Sequence, residues 1–400
     1  TATKRETSLQ DTSMSISVLS GKDLEDRGVL SISNIISTVP GVSLVSDGPG
    51  FPDYIMRGVA SSSNSGLLGN RIISVYLDET SLPQEASDVG LVDVSRVELL
   101  KGPQGTLYGK SAMGGVVRYI TNEPTTEGFS GGVNAYGSST SEGGNNYGGQ
   151  GHFNIPLTDN LAARVVAYHF DNDGFIDADG ADKAENINTS KTAGGRLALK
   201  WDINESTSLG LTYINQKVES GARQMIGTTF TPFPGAAVEP PDLKAPSLST
   251  LSRQYGKQPY GYDTEVLSLK LNREFEHFSS SVVASRTDQL FSREEVVNDF
   301  VNVTSAERFI ATNKFTAKVD TVEARLVSNS EDGAFLDWIV GFWYEDSERA
   351  DRTLTFDEGL TITLFGISFL PDDITSNSLA LDFSTEKALY GEVALHVTDK

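Results

Sequence analysis

The chain has 400 residues, with 32 Lys+Arg against 54 Asp+Glu, a formal net charge of −22, no cysteine and four histidines. The absence of cysteine excludes a disulfide scaffold, a cysteine-ligated zinc site, an iron–sulfur cluster and a thiol nucleophile. The acidic excess argues against nucleic acid as a partner, because phosphate binding needs a basic face. No stretch approaches the ~18 consecutive apolar residues of a membrane-spanning helix, whereas a β-barrel shows lipid only every second residue and is not excluded.

Residues 1–127 mix short helical and short strand patterns, which predicts a small α+β domain rich in loops. Ile16–Leu19 alternates like a strand, and Ser20 is a candidate N-cap for a helix over Lys22–Arg27. A second helix is predicted over Asn34–Val39, before a Pro-Gly pair that ends it. Strand-like runs follow at Tyr54–Met56, Ile72–Leu77 and Val97–Leu100.

Residues 128–400 alternate apolar and polar side chains, which predicts strands with one apolar and one polar face. Leu267, Leu269 and Leu271, for example, are separated by polar residues. In a membrane barrel the apolar face meets lipid and the polar face lines the lumen. The charged residues of the polar face are Arg196, Lys200, Lys270, Glu323 and Arg325.

Short turns and long polar segments alternate between these strands, as in barrels that span an outer membrane. We count about ten strands, most with the ~9–11 residues that cross hydrocarbon at a tilt. A soluble β-sandwich shows the same alternation when its apolar face packs on a second sheet, so the asymmetry of the connections is what favours the membrane. The long segments lie near residues 172–189, 219–261, 294–317 and 348–384.

Patterns that resemble catalytic or nucleotide-binding motifs lack the context that such motifs need. Gly105–Ser111 misses the glycine spacing of a phosphate-binding loop by one residue and has no βαβ pattern around it. Gly128–Gly132 matches G-x-S-x-G, but a strand pattern follows the serine where a nucleophile elbow has a helix. The four histidines are far apart and form no ligand pair. We therefore expect neither an enzyme nor a bound cofactor.

An acidic, glycine-punctuated loop supplies weak candidates for calcium ligands, namely Asp177, Asp179 and Asp182. Closely spaced carboxylates can bind calcium, but the spacing matches only part of an EF-hand loop and no bidentate glutamate follows. A solvated acidic loop is the preferred interpretation, and no metal site is predicted.

An ordered set of short motifs covers about 110 residues of the first domain. The motifs are Ser17-Val18-Leu19-Ser20, Val39-Pro40-Gly41-Val42, Met56-Arg57-Gly58, Val75-Tyr76-Leu77-Asp78, Val97–Gly109, Gly114-Gly115-Val116-Val117 and Ile120-Thr121. This set resembles the plug of a TonB-dependent outer-membrane receptor, and the later strands are similar to the barrel of that family. The resemblance implies a small α+β plug domain over residues 1–127, followed over residues 128–400 by antiparallel transmembrane β-barrel strands, about ten of an expected total of about 22.

The resemblance implies active import across the outer membrane of a Gram-negative cell. In such receptors a ligand too large for porins binds from outside, and TonB of the inner-membrane energising complex pulls a short N-terminal box of the plug. The expected partners are TonB, outer-membrane lipid and a ferric siderophore, with oligosaccharide, cobalamin or haem as alternative cargo. The plug motifs argue against a passive porin, and a soluble β-rich binding protein is the alternative outside transport.

The resemblance also implies a latch between plug and barrel, because an unpaired buried charge is costly. Its cations are Arg57 and Lys101 of the plug, and its anions are Glu323 and Glu392 of the barrel. Lys101 departs from the arginine of the family, which keeps the charge but loses the bidentate fork. The other plug-motif residues are Pro40, Gly41, Gly58, Glu98, Gly102, Pro103, Tyr108 and Gly109.

Cargo is expected to contact the plug apices and the long loops. Thr1-Ala2-Thr3 is similar to the segment that follows a TonB box, so most of the box is expected to lie outside the chain. A strand pattern that continues to Lys400 predicts an N-terminal fragment of a longer receptor. The candidate apex residues, within 47–53 and 61–70, are Asp47, Phe51, Asp53, Ser63, Asn64 and Asn70.

Overall fold

The computed structural model comprises two units, called here the plug (residues 14–121) and the wall (residues 130–395). It describes residues 14–26, 32, 35–46, 48–49, 52–60, 72–83, 90–108, 112–178, 183–222, 252–253, 257–296, 308–329, 336–358, 363–364, 367–368 and 374–395.

The plug has eight strands and three short helical segments. In chain order they are β1 Ser15–Ser20, α1 Gly21–Asp26, a 3-10 turn Ile36–Thr38, β2 Val42–Ser46, β3 Pro52–Met56, β4 Val59–Ala60, β5 Ile73–Leu77, β6 Thr80–Leu82, β7 Val94–Lys101, α2 Gly105–Tyr108 and β8 Gly115–Thr121.

Of the two predicted plug helices, the first forms as expected and the second is shorter than expected. Ser20 caps α1 as predicted, since its Oγ accepts a hydrogen bond of 3.1 Å from the amide of Asp23. The second predicted helix is shorter than expected and forms only the 3-10 turn. Its β-branched residues disfavour a helix, and Pro40 excludes the helical conformation from Val39 before it.

The plug strands form a five-stranded sheet in the order β1-β7-β8-β5-β6 and a three-stranded sheet in the order β2-β3-β4. Only β5 and β8 pair in parallel. Apolar side chains of α1, both sheets and the 3-10 turn form one buried core, which includes Leu24, Ile36, Tyr54, Leu99 and Tyr119.

The wall contains the remaining strands. In chain order they are β9 Ser130–Ser139, β10 Asn145–Thr158, β11 Leu161–Asn172, β12 Asp177–Ala178, β13 Ser190–Asn204, β14 Thr207–Ser220, β15 Ser252–Arg253, β16 Tyr260–Glu274, β17 Phe278–Val296, β18 Arg308–Ser328, β19 Leu336–Glu358, β20 Thr363–Leu364, β21 Ile367–Ser368 and β22 Ile374–Leu395.

Ten of these strands form a single antiparallel sheet in the order β22-β19-β18-β17-β16-β14-β13-β11-β10-β9. The prediction of about ten antiparallel strands is therefore confirmed. The short pairs β12–β15 and β20–β21 lie outside this sheet. Neighbours in the sheet follow each other along the chain, as expected where turns and loops alternate.

The two faces of the wall differ as predicted. One face carries exposed apolar side chains, among them Leu267, Leu269 and Leu271 at 47%, 44% and 40% exposure. The other face lies on the plug, where Ile214 and Val266 join the plug core. A soluble sandwich needs a second sheet packed on its apolar face. In the described parts of the chain no second sheet packs on this face of the wall.

The helices of the plug have at most six residues. None of the described helices is long and apolar enough to cross a membrane. The plug sheet ends at Thr121 and the wall begins at Ser130, while the domain boundary after residue 127 remains a prediction.

Candidate functional site at the junction of plug and wall

The first junction between plug and wall is built around Asp93, whose side chain is 1% exposed. Arg164 of β11 donates to both of its oxygens, from Nε at 2.7 Å and from Nη2 at 2.5 Å. Arg196 of β13 donates to Oδ2. Asn122 adds a hydrogen bond of 2.9 Å from Nδ2. Two cations and an amide therefore hold one buried carboxylate, which is the geometry of a strong charge-assisted contact.

The second junction runs from the plug to β18 through Glu79. Arg325 donates to Glu79 at 3.0 Å across the interface, and Arg118 of the plug lies 3.4 Å from the other oxygen of Glu79. Arg118 also pairs with Glu98 at 2.8 Å, and Glu98 receives a further bond of 2.8 Å from Arg96. The side chains of Arg118 and Glu98 are 3% and 5% exposed, so the chain of charges is buried and mutually compensated.

Aromatic side chains support Arg118 from the plug side. The guanidinium lies 5.7 Å from the ring centre of Tyr108, and Tyr76 packs edge-on against that ring at 5.2 Å. The hydroxyl of Tyr76 donates to the carbonyl of Tyr108 at 2.8 Å. Burial holds the pKa of Tyr76 well above its usual range, so this hydroxyl remains a donor.

The third junction is more exposed and joins Glu123 to Lys200 of β13 at 2.9 Å. The side chains are 60% and 36% exposed. Burial alone would raise the pKa of Glu123, but the hydrogen bond and the charge of Lys200 outweigh it, so the pKa lies below its ordinary value. Solvent screens a pair of this kind.

In the first two junctions the acid belongs to the plug and the base to the wall, and in the third the acid lies just after the plug, in the segment that leads to the wall. The family resemblance implies the opposite polarity, with plug cations on barrel glutamates. The structure brings Arg196, Lys200 and Arg325 of the predicted lumen face to the plug, but their partners were not predicted. The partners are Glu79, Asp93 and Glu123. The alternation of apolar and polar residues in the wall strands predicts which bases face the lumen, but it does not predict which acids they pair with.

The predicted latch pairs are not formed among the described residues. Lys101 bonds within the plug, to the hydroxyl of Ser17 at 2.9 Å and to the carbonyl of Pro40 at 3.0 Å. It remains close to its own domain because its single ammonium group finds two oxygens there. Arg57 is exposed and its Nη1 lies beside Gly102, where an added Cβ would approach it to 3.3 Å.

The two wall glutamates of the predicted latch lie on the face that meets the plug, in different surroundings. Glu323 is 2% exposed, lies 3.5 Å from Arg325 and accepts a hydrogen bond from Tyr390. Glu392 lies on the edge strand β22, opposite Ile339, and is exposed. Glu323 thus belongs to the second junction through its wall neighbours and not through Arg57 or Lys101.

The other predicted plug-motif residues have varied surroundings. Glu98 and Tyr108 are buried in the second junction. Gly41, Gly58 and Gly102 have φ values of +73°, +80° and +106°, which L side chains rarely adopt. Pro40 and Pro103 are exposed. Gly109 lies outside the described residues.

Most of the predicted apex residues also lie outside the described residues, namely Asp47, Phe51, Ser63, Asn64 and Asn70. Asp53 lies in β3 and is half-buried. Of the calcium candidates, Asp177 accepts a hydrogen bond of 2.9 Å from the amide of Asn186, whereas Asp179 and Asp182 are not described. In the described part of the chain no group of three or more histidine or acidic side chains is placed to hold a metal.

An aromatic patch lies on the lumen face of the wall, near the ends of the strands that carry long loops. The rings of Tyr262 and Phe291 lie 4.9 Å apart, and those of Tyr260 and Tyr262 lie 6.2 Å apart. Phe315 joins them, and all four side chains are at most 4% exposed. Arg293 lies two residues after Phe291 on the same face.

Comparison with known proteins gives a family match for the first unit. Residues 8–116 match the family described as TonB-dependent Receptor Plug Domain. The pesticin receptor of Yersinia pestis is 28% identical over 260 residues, covering 60% of this chain and 36% of that protein. The vitamin B12 transporter BtuB of Photobacterium profundum is 30% identical over 187 residues, covering 44% of this chain and 30% of the relative.

Solved structures share the fold over nearly the whole chain. The ferric yersiniabactin uptake receptor of Yersinia pestis superposes with a TM-score of 0.76 at 18% identity, covering 96% of this chain and 54% of the other. The ferripyoverdine receptor of Pseudomonas aeruginosa gives a TM-score of 0.73 at 18% identity, covering 100% and 52%. The chain thus spans about a third of the curated relatives and about half of these structures.

All four proteins are named as receptors or transporters, and none is an enzyme. The plug match and the ten-stranded antiparallel wall lead to one conclusion: residues 8–116 are a plug domain of the TonB-dependent receptor kind, and the chain as a whole has the fold of such receptors, a plug followed by strands of the barrel.

Proposed function

We propose that the full-length protein containing this chain imports a ferric siderophore across the outer membrane of a Gram-negative cell, driven by TonB. The observation that carries the proposal is the plug fastened to the wall through buried ion pairs of Asp93 and Glu79. A plug held to the wall by buried ion pairs must be displaced before a large solute can pass between them, so passage requires work on the plug.

Several observations support the membrane location. The outward face of the wall bears large apolar side chains in register, including Leu209, Leu271, Val282 and Phe342. A charge on this face costs about 2–4 kcal/mol at mid-depth in a bilayer, and none of these four positions carries one. A face of this kind is suited to lipid and would aggregate in water.

The siderophore as cargo is supported by the relatives, since one is named a ferric yersiniabactin uptake receptor and another a ferripyoverdine receptor. The aromatic patch of Tyr260, Tyr262, Phe291 and Phe315 is buried, so it stiffens the lumen face near the long loops and does not itself contact cargo. Arg293 beside it supplies a cation for an anionic iron chelate. A relative named as a vitamin B12 transporter keeps cobalamin as the second candidate; haem and oligosaccharide have no comparable support.

The test is growth of a strain lacking the gene, complemented with the full-length protein, under iron limitation. We expect the complemented strain, and not the deletion strain, to grow on at least one ferric siderophore from a panel of hydroxamate, catecholate and mixed-ligand types. Growth on no iron source combined with rescue of cobalamin-dependent growth would replace the siderophore with cobalamin. Rescue of neither would contradict the proposal.

A further inference from the structure

A cavity of about 440 Å³ separates the plug from one side of the wall. The plug contributes the turn between β5 and β6 and the segment after β8, including Asp78, Glu79 and Thr121. The wall contributes β13, β14, β16 and β17. The volume lies within the range of ligand pockets, although the cavity is far from the long loops where cargo enters.

A second cavity of about 530 Å³ continues from the first toward the end of the wall with short turns. Both are lined by Lys200, Ser208 and Asn272. The second reaches the turn between β13 and β14 at Glu205 and Ser206. Short turns of such barrels face the periplasm, so the two cavities form one passage, called here the lane, that opens at the periplasmic rim.

The lining of the lane is mixed in polarity, with small residues at its centre. The central residues are Ser208, Gly210 and Thr212 on β14 and Ser268 on β16. Apolar side chains such as Leu199 and Val283 lie beside them, and Lys270 supplies a positive charge. Small side chains at the centre leave open space between plug and wall.

The lane lies between the two buried junctions. Asp93 is fixed to β11 and β13 on one side, and Glu79 is fixed to β18 on the other. Between them, β14 and β16 make no ion pair with the plug among the described residues. The plug is thus tethered by buried charge at both edges of the lane, whose lining also includes the exposed pair of Glu123 and Lys200 at β13.

The outer end of the lane is closed by apolar contact. Ile214 of β14 and Val266 of β16 line the top of the cavity and are packed into the plug core, at 8% and 3% exposure. One residue pair further out, Gln216 accepts a hydrogen bond of 3.1 Å from the amide of Gly90. Ile214, Val266 and the hydrogen bond between Gly90 and Gln216 thus hold the plug against the wall at the outer end of the lane.

We propose that cargo passes the plug along β14 and β16, through the lane, and that Ile214 and Val266 form its gate. The proposal rests on the import function given above and names the route within it. Displacement of the plug from these two side chains joins the lane to the outer lumen, while the ion pairs on both sides keep the domain in place.

The gate is tested by the double variant Ile214→Ala/Val266→Ala in the full-length receptor, reconstituted in planar lipid bilayers. The matched control is Ile339→Ala, which removes an equally buried wall contact with the plug at a place without a lane. We expect ion conductance to rise about tenfold or more in the double variant, the size of effect that lost apolar packing has on a two-state equilibrium, and to stay at the wild-type value in the control. Equal conductance in both variants would overturn the proposal.

A second measurement holds even if the double variant folds poorly. The chain has no cysteine, so Ser268→Cys in the lane can be compared with Ser285→Cys, its direct neighbour on the wall. Ser285 is 8% exposed and bonded to Thr321 at 2.6 Å. We expect a water-soluble maleimide to label the lane cysteine at least about tenfold faster. Equal labelling rates would show that the lane does not exist. A receptor that labels as expected but imports no ferric siderophore would instead contradict the proposed function.

Discussion

Asp93 shows how a single residue secures the plug to the wall. Its φ of +55° is an unusual conformation that aspartate and asparagine tolerate better than other residues, and it aims the carboxylate at Arg164 and Arg196. Removal of this carboxylate would lower the stability of the junction strongly, because two guanidinium groups would then stay buried without a counter-charge.

The variant Asp93→Asn keeps the backbone conformation and removes the charge. We expect it to destabilise the junction by about 3–5 kcal/mol, the cost of breaking a buried ion pair. The matched control is Glu123→Gln at the exposed pair with Lys200, where we expect a change of at most about 1 kcal/mol. Scanning calorimetry of the full-length receptor in detergent measures both. Equal effects would show that burial does not distinguish the two junctions.

Asp78 makes the stability of the plug depend on pH. Burial raises its pKa above the ordinary 3.8, and the hydrogen bonds from Thr121 only partly offset this. The folded plug therefore binds this proton more tightly than the unfolded chain, so the contribution to stability is fully present below pH 3.8 and is lost as pH rises through the folded pKa.

Replacement of Asp78 by Asn should remove this contribution. We expect the unfolding temperature of Asp78→Asn to vary less than that of wild type as pH rises from about 4 toward neutrality, a window set by the ordinary and the raised pKa of an aspartate. The control is Asp53→Asn at a half-buried plug carboxylate, which should follow the wild-type profile. A profile of Asp78→Asn that coincides with wild type would show that Asp78 titrates normally.

Among the elements, β16 combines two environments on one strand. Its odd-numbered residues face outward, with Leu267, Leu269 and Leu271 forming part of the apolar belt, while Asp263 lies on the same face beyond it. Its even-numbered residues face the plug and the lane, including Val266 and Lys270. A period of two therefore places an apolar outward face and a plug-facing side on one strand.

The variant Leu269→Lys places a charge in the middle of the belt. We expect a cost of about 2–4 kcal/mol, the value for a lysine at mid-depth on the lipid face of a barrel, and a clear loss of receptor assembled in the outer membrane. Asp263→Lys on the same face should assemble normally, since this position already carries a charge and lies beyond the belt. Quantification of heat-resistant, folded receptor in membrane fractions compares the two, and normal assembly of Leu269→Lys would argue against contact with lipid at this level.

At the scale of the whole molecule, the strands of the wall were predictable from the sequence. The ion-pair partners of the charged residues on those strands were not. Alternation of apolar and polar residues is a local signal, so it identified the ten strands of the wall and assigned Arg196, Lys200 and Arg325 to the lumen correctly. The helix cap at Ser20 is equally local. The second predicted helix failed because β-branched residues before Pro40 outweigh its apolar spacing.

The junctions between plug and wall could not be read from the sequence in the same way. Asp93 and Arg196 are separated by more than a hundred positions, and a pair of this kind depends on how two domains dock. The family resemblance supplied plug cations and barrel glutamates, whereas the structure pairs plug acids with wall bases. Glu79 and Asp93 both follow ordinary strand or turn signals, and nothing in the sequence around them indicates that they pair with the wall.

The proposed import requires TonB-coupled energy, because a ferric siderophore must pass a plug that ion pairs fasten to the wall. The most direct measurement is uptake of siderophore-bound radioactive iron by cells that carry the full-length protein, in the presence and absence of a functional TonB. We expect accumulation that depends on both the receptor and TonB and that stops when the proton gradient is collapsed. Accumulation that continues at an equal rate without TonB would contradict it.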